Sequence, residues 1–168
     1  MKLPGPAKPK SKATKSANGG GDPQTASPLF SLPRELRDMI YEEAFRGHVQ
    51  DVDHHPNESY PGILLACKQT HHETINLFYK RTTFECGTRR HGIDWFTHMP
   101  KKYRDQVVSL RYCVCFWPED VIPLAAELGS IAAAEGMFRK WYKNDFIEGL
   151  RREGATVKEE VISIKFHK

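Results

Sequence analysis

From Leu29 onward the apolar positions fall into blocks with different periods. Leu32, Leu36, Met39, Ile40, Ala44 and Phe45 recur at helical spacing, with Arg34, Arg37, Asp38 and Glu42 between them, which predicts a one-sided amphipathic helix. Pro33 suits a first helical turn, where its missing N–H costs nothing. Ser31 is placed to cap that turn, and Gly47 to stop the helix. Residues 47–61 are polar, contain Pro56 and Pro61, and read as a loop. A second helix is expected from Pro61-Gly62 to about Tyr79, because Leu64, Cys67, His71, Thr74, Ile75 and Phe78 share one face.

The period then shortens. Thr82 to Cys86 reads as a strand, followed by a turn at Gly87 and the basic pair Arg89-Arg90; Ile93 to Met99 fits one or two helical turns ended by Pro100. Val107 to Phe116 alternates, with Val108, Leu110, Tyr112, Val114 and Phe116 on one side and Ser109, Arg111, Cys113 and Cys115 on the other. Glu119 to about Arg152 is helical in composition, with a break expected around Gly129-Ser130 or Gly136. Its second part is amphipathic through Met137, Phe138, Trp141, Phe146 and Leu150. Val157 to His167 closes the pattern as a strand with Ile162, Ile164 and Phe166 on one face. A strand, a long helical crossover and a strand predict a parallel pair. The fold class expected is mixed α/β (α+β): helices first, then a small sheet flanked by helices. No repeat recurs at a fixed period, so a full solenoid is not expected.

Residues 1–28 have no such pattern. They combine Lys, Pro, Gly, Ser and Ala, and cannot bury enough surface to offset about 1–2 kcal/mol of ordering entropy per residue, so a disordered tail is expected ahead of a single domain at 29–168. The charge is uneven in the same way. Five lysines and no acid lie in residues 1–21, leaving 20 basic against 21 acidic residues from Asp22 onward. The pI near 8.9 therefore describes a basic arm on a near-neutral body, and nucleic acid is not the expected partner. No run approaches the roughly 18 apolar residues of a membrane span, and the N-terminus lacks the apolar core of a secretory signal. A cytoplasmic or nuclear protein is expected, with Cys67, Cys86, Cys113 and Cys115 as reduced thiols.

Candidate chemistry is thin. His71-His72-Glu73 lacks the second histidine that a zincin helix needs. Cys67 and His71, one turn apart, could hold two corners of a zinc site. The rest would have to come from Cys86, Cys113 or Cys115 on other strands; the alternative is a small buried cysteine and a histidine at the core edge. Cys113 and Cys115 point to one side of their strand beside Arg111, the kind of cation that activates a thiolate. Trp95-Phe96, Trp117 and Trp141-Tyr142 fit core anchors better than a base-stacking platform. No nucleophile elbow, P-loop or dinucleotide fingerprint is present, so neither an enzyme, a metal nor a cofactor is expected.

The stretch Phe30-Ser31-Leu32-Pro33-Arg34-Glu35-Leu36-Arg37-Asp38-Met39-Ile40-Tyr41 resembles the opening of an F-box, and more closely that of a set of F-box-like proteins of filamentous fungi, mostly uncharacterised. Their pattern, Leu-Pro-x-Glu-Leu-Arg-x-x-Ile-Tyr, continues here as Leu64-Leu65-Ala66-Cys67-Lys68-Gln69, Glu73, Phe78-Tyr79 and Thr83-Phe84, then Trp95-Phe96 and Val108-Ser109-Leu110-Arg111. The resemblance covers roughly residues 29–116 and implies F-box-like helices at the front of the domain. It implies that Leu32, Pro33, Leu36 and Ile40 contact a Skp-type adaptor of a cullin-type ubiquitin ligase, an apolar stripe docking in a groove. That reading expects the stripe exposed. A self-contained scaffold domain would instead bury it on the second helix, against Cys67, Ile75 and Phe78. A third reading, a nucleic-acid-associated protein, would use the lysine tail and Arg89-Arg90.

Overall fold

The computed structural model describes residues 27–53, 60–115 and 118–167. The tail read at 1–28 lies almost wholly outside them, as do His54, His55, Phe116 and Trp117. A short 3-10 turn, Pro28–Ser31, leads into α1 (Arg34–Ala44). There follow β1 (Val49–Asp51), α2 (Gly62–Leu65), α3 (Lys68–Arg81), β2 (Thr83–Cys86), α4 (Arg89–His98), α5 (Lys101–Arg104) and β3 (Leu110–Cys115). The chain ends with α6 (Pro118–Leu128), α7 (Ile131–Arg152), a 3-10 turn at Glu159–Val161 and β4 (Ile162–His167).

The four strands form one parallel sheet in chain order, β1-β2-β3-β4. The fold is thus mixed α/β, and the expected strand–helix–strand unit at its C-terminus is the β3–β4 pair bridged by α6 and α7. Register places Gln50, Phe84, Leu110 and Ile162 in one row, and Cys86, Tyr112 and Ile164 in the next. Phe78 of α3, Ile93 and Phe96 of α4, and Phe146 and Leu150 of α7 form the core with this side of the sheet. Two of its rings, Phe78 and Phe84, meet edge to face at 5.4 Å. The other side carries Val49, Asp51, Thr83, Glu85, Arg111, Cys113, Cys115, Ser163, Lys165 and His167, of which only Cys113 is buried. A parallel sheet is usually covered on both faces; here the described helices pack on one.

Close approach fixes how α4 sits. A Cβ on Gly92 would lie 2.5 Å from Cys86 Sγ and 2.9 Å from Phe146 Cζ, so the missing side chain lets α4 pack between sheet and α7. At the other end of α7, Gly129 has a φ of 76° and Ser130 caps the helix by accepting from Ala133 N–H at 3.0 Å. The expected break is therefore at Gly129-Ser130, and the helix runs unbroken through Gly136. α6 and α7 bend by 116° there, and among the described residues no single helix is long and apolar enough to cross a membrane.

Several sequence expectations are corrected. The stretch 47–61 is not all loop: Val49–Asp51 pairs in parallel with β2, an edge strand whose alternation is too short to stand out. The second helix is not continuous, because Cys67 leaves it. Cys67 is extended (φ −163°, ψ 169°) and caps α3: its Sγ accepts from Thr70 N–H at 3.4 Å, and its own N–H donates to Thr70 Oγ1 at 3.1 Å. Ser31 does not cap α1; Pro33 occupies the cap position, and the Ser31 hydroxyl donates to Pro28 O at 2.6 Å. Pro100 does not merely end a helix but starts α5. Trp141 is no core anchor, being 59% exposed, whereas Trp95 packs against Phe84, its ring tilted, with centroids 4.7 Å apart.

Candidate partner-docking surface

α1 is held to α3 by one carboxylate. Arg37 donates to Glu73 twice, from Nη2 to Oε1 at 3.0 Å and from Nε to Oε2 at 3.1 Å, the bidentate fork that makes arginine–carboxylate pairs strong. Tyr41 OH donates to Glu73 Oε2 at 2.9 Å, and Gln69 Nε2 to Oε1 at 3.0 Å. Arg34 adds a longer pair at 3.6 Å. A third Arg37 nitrogen donates to Leu32 O at 2.8 Å and ties down the chain ahead of the helix.

The Glu73 side chain is only 7% exposed. Burial alone would raise its pKa, but the hydrogen bonds from Arg37, Gln69 and Tyr41 outweigh it and hold the carboxyl at about 2. The Tyr41 hydroxyl is pushed up to about 12, first by burial and then by its bond to Glu73. Glu73 also pulls the Arg37 pKa upward through their hydrogen bond. The motif residues that carried the resemblance in this part of the chain thus form an ionic clamp between two helices. Arg37, Tyr41 and Glu73 stand in the sequence with no sign that they meet, because Arg37 and Tyr41 lie 36 and 32 residues from Glu73 in the chain.

The clamp decides which way α1 faces. Tyr41 and Phe45 turn inward and are fully buried, Phe45 meeting Phe78 edge to face at 5.7 Å. At about 100° per residue, Leu36, Met39 and Ile40 then fall together on the opposite side. They are 46%, 66% and 43% exposed. Of the residues expected to bind a partner, Leu36, Ile40 and Pro33 are exposed, and Leu32 is half-buried with its carbonyl held by Arg37. The stripe read as one face from Leu32 to Phe45 is two faces. Its last member, Phe45, packs on α3, while its middle does not. Leu65, on α2, is also exposed.

The other candidate residues find structural partners or stand apart. His71 is exposed with Nδ1 3.1 Å from Leu64 O, and Cys67 is a helix cap. Among the described residues no three His, Cys, Asp or Glu side chains gather as a metal site would need. The hydrogen bonds of Thr70 lower the Cys67 pKa, whereas burial and then Glu85 raise that of Cys113. Arg111, the cation expected to activate Cys113, is engaged by Glu85 at 2.6 Å. Arg89 is bound into the fold by Asp145, Nε to Oδ2 at 2.6 Å, leaving Arg90 as the exposed member of that basic pair.

Compared with known proteins, the chain matches no family model, no curated protein and no solved structure.

Proposed function

We propose that this chain is a non-catalytic protein–protein interaction module whose first helix docks in an apolar groove of a partner. The observation that carries this reading is the outward stripe of Leu36, Met39 and Ile40, left exposed while the rest of α1 is clamped to α3. Exposed apolar side chains spaced over one helical turn are the anchors of helix-in-groove recognition, and full burial of such a side chain stabilises by about 1.5–3 kcal/mol. The F-box-like pattern names the partner class: a Skp-type adaptor of a cullin-type ubiquitin ligase, with Leu32, Pro33, Leu36 and Ile40 at the contact. The bidentate clamp supports the reading because it holds the helix in one orientation before binding, which lowers the ordering cost of association.

The experiment is co-purification of the full chain with a Skp-type adaptor, comparing the native sequence with Leu36→Asp. Stable binding by the native chain, lost in a variant of unchanged circular dichroism, is the expected result. A native chain that fails to bind the adaptor overturns the adaptor assignment; the scaffold alternative expected the stripe buried, and Leu36 and Ile40 are exposed.

A further inference from the structure

The parallel sheet ends in two edges, and they are built differently. β1 is three residues long, too short to serve as a template for another chain. β4 has six residues, alternates apolar and polar side chains, and pairs with β3 alone. In a parallel ladder, alternate residues turn their N–H and C=O to one neighbour, and those between turn theirs to the other. Phe84 N–H donates to Ser109 O at 3.0 Å, so Ser109 and Arg111 of this alternation face β2 while Leu110 and Tyr112 face β4. Tyr112 stands in register with Ile164, so its bonds fall on Ser163 and Lys165, and Ile164 turns to the open edge. A side chain takes its carbonyl there: Arg139 of α7 donates from Nη1 to Ile164 O at 2.5 Å. The same guanidinium lies 4.6 Å from the centre of the Phe166 ring. Arg139 forms no ion pair among the described residues. Its charge sits instead at the middle of an edge strand, where a charged group blunts pairing with another chain.

We propose that Arg139 is a latch on this edge, and that releasing it lets β4 pair antiparallel with β4 of a second copy of this chain. The occupant is a second copy because the edge is complementary to itself. About a twofold axis at Ile164, the N–H and C=O of that residue meet those of Ile164 in the second copy. Ser163 then falls opposite Lys165 of the second copy, so no like charges face each other across the join. The core sides of both sheets stay on one side, and the row through Ile162 and Ile164 continues from one copy into the next. The latch is independent of docking at α1, and either can fail without the other.

The test is sedimentation equilibrium of the full chain over a hundredfold range of concentration, comparing the native sequence with Arg139→Met and Arg139→Ala. Methionine keeps an unbranched stem against Phe166 and removes only the charge and the donor, whereas alanine removes the whole side chain. Arg139 is exposed, so both variants are expected to fold as the native chain does by circular dichroism. The native chain is expected to keep the monomer mass throughout. Both variants are expected to approach twice that mass, with hydrogen exchange at the Ile164 amide slowed at least tenfold as concentration rises. Adding Ser163→Lys to Arg139→Met sets two cations opposite each other on each side of the axis, and is expected to restore the monomer. Folded variants that stay monomeric, or a native chain that already associates with its Ile164 amide protected, overturn the proposal. So does association that survives Ser163→Lys, or that Leu36→Asp abolishes instead.

Discussion

Two surfaces of this molecule turn away from its core, and they are built in opposite ways. The outer side of α1 shows the apolar side chains Leu36, Met39 and Ile40, whereas the outer side of the sheet shows mostly charged and small polar groups. On the sheet, Glu85 accepts from Arg111 Nη1 at 2.6 Å and lies 3.5 Å from Lys165 Nζ. Burial works against the Glu85 charge, but these cations hold its pKa below the ordinary carboxylate value. That face suits water: Glu85, Arg111 and Lys165 pair across neighbouring strands, and among the described residues Val49 is its one large exposed apolar side chain. The stripe on α1 is not complete, since water gains nothing from touching it. The difference teaches where a partner gains most, and each expectation below breaks or sharpens it.

The largest effect is expected beneath the stripe. Glu73→Ala leaves Arg37, Tyr41 and Gln69 without their shared acceptor in a place where the carboxylate is nearly inaccessible. Removing one side of a buried ion pair typically costs about 3–5 kcal/mol. Chemical denaturation is the measurement. An unchanged unfolding midpoint would show that α1 is held by Phe45 and its neighbours alone, and that the clamp is an ornament on the contact.

A pH titration compares the two surfaces directly. The Glu73 carboxyl has a folded pKa of about 2, below the roughly 4.3 of an unfolded glutamate. A depressed pKa contributes stability that is fully present above the unfolded value and is lost as pH falls through the folded one. Stability should therefore decline from about pH 5 towards pH 2, by about 3 kcal/mol from this group. Glu85 contributes with the same sign. Glu73→Gln should remove most of the slope in that window, and Glu85→Gln a smaller part. The reverse order would place the dominant electrostatics on the sheet.

Packing under α4 gives an intermediate effect that neither surface should share. Gly92→Ala would force a methyl towards Cys86 Sγ and a core ring of α7. Overpacking of this kind typically costs about 1–3 kcal/mol. Thermal unfolding should show the loss, while partner binding by α1 stays unchanged once the chain is folded; a loss of both would couple α1 to the far side of the core.

How much of this was legible follows the physics of each signal. The long helices and the strands β2, β3 and β4 were visible because burial on one side writes a period into the sequence, 3.6 for Tyr41 to Phe45 or Phe146 to Leu150, and 2 for Ile162 to Phe166. The parallel β3–β4 pair followed from the length of the crossover. β1 leaves no such signal because three residues cannot show a period, and its place at the sheet edge leaves only Gln50 buried. Cys67 misleads for a different reason: a cap lies on the same spacing as the helix it starts, and only its backbone angles separate the two. The candidate surface was half legible. Leu32, Pro33, Leu36 and Ile40 were named, but apolar spacing cannot say whether a stripe faces inward or outward. That choice is made by Glu73 on another helix, through contacts no local window contains.

The smallest change in stability is expected at the stripe itself, and this is the sharpest form of the comparison. Leu36→Asp removes an apolar side chain that is 46% exposed and places a carboxylate in the first turn of α1, where the helix dipole favours a negative charge. The lost packing and the favourable charge oppose each other, so folding stability should move by no more than about 0.5 kcal/mol. Met39→Asp, at 66% exposed, should move it by a similarly small amount but without the dipole gain, since it lies a turn further along. Both are measured by denaturant midpoint beside a binding assay. If either variant loses several kcal/mol, the stripe belongs to the core of the folded chain, and the contrast between an incomplete helix face and a complete sheet face fails. If both fold as the native chain does, the fold does not depend on the Leu36 and Met39 side chains, and any binding they lose is lost at the surface.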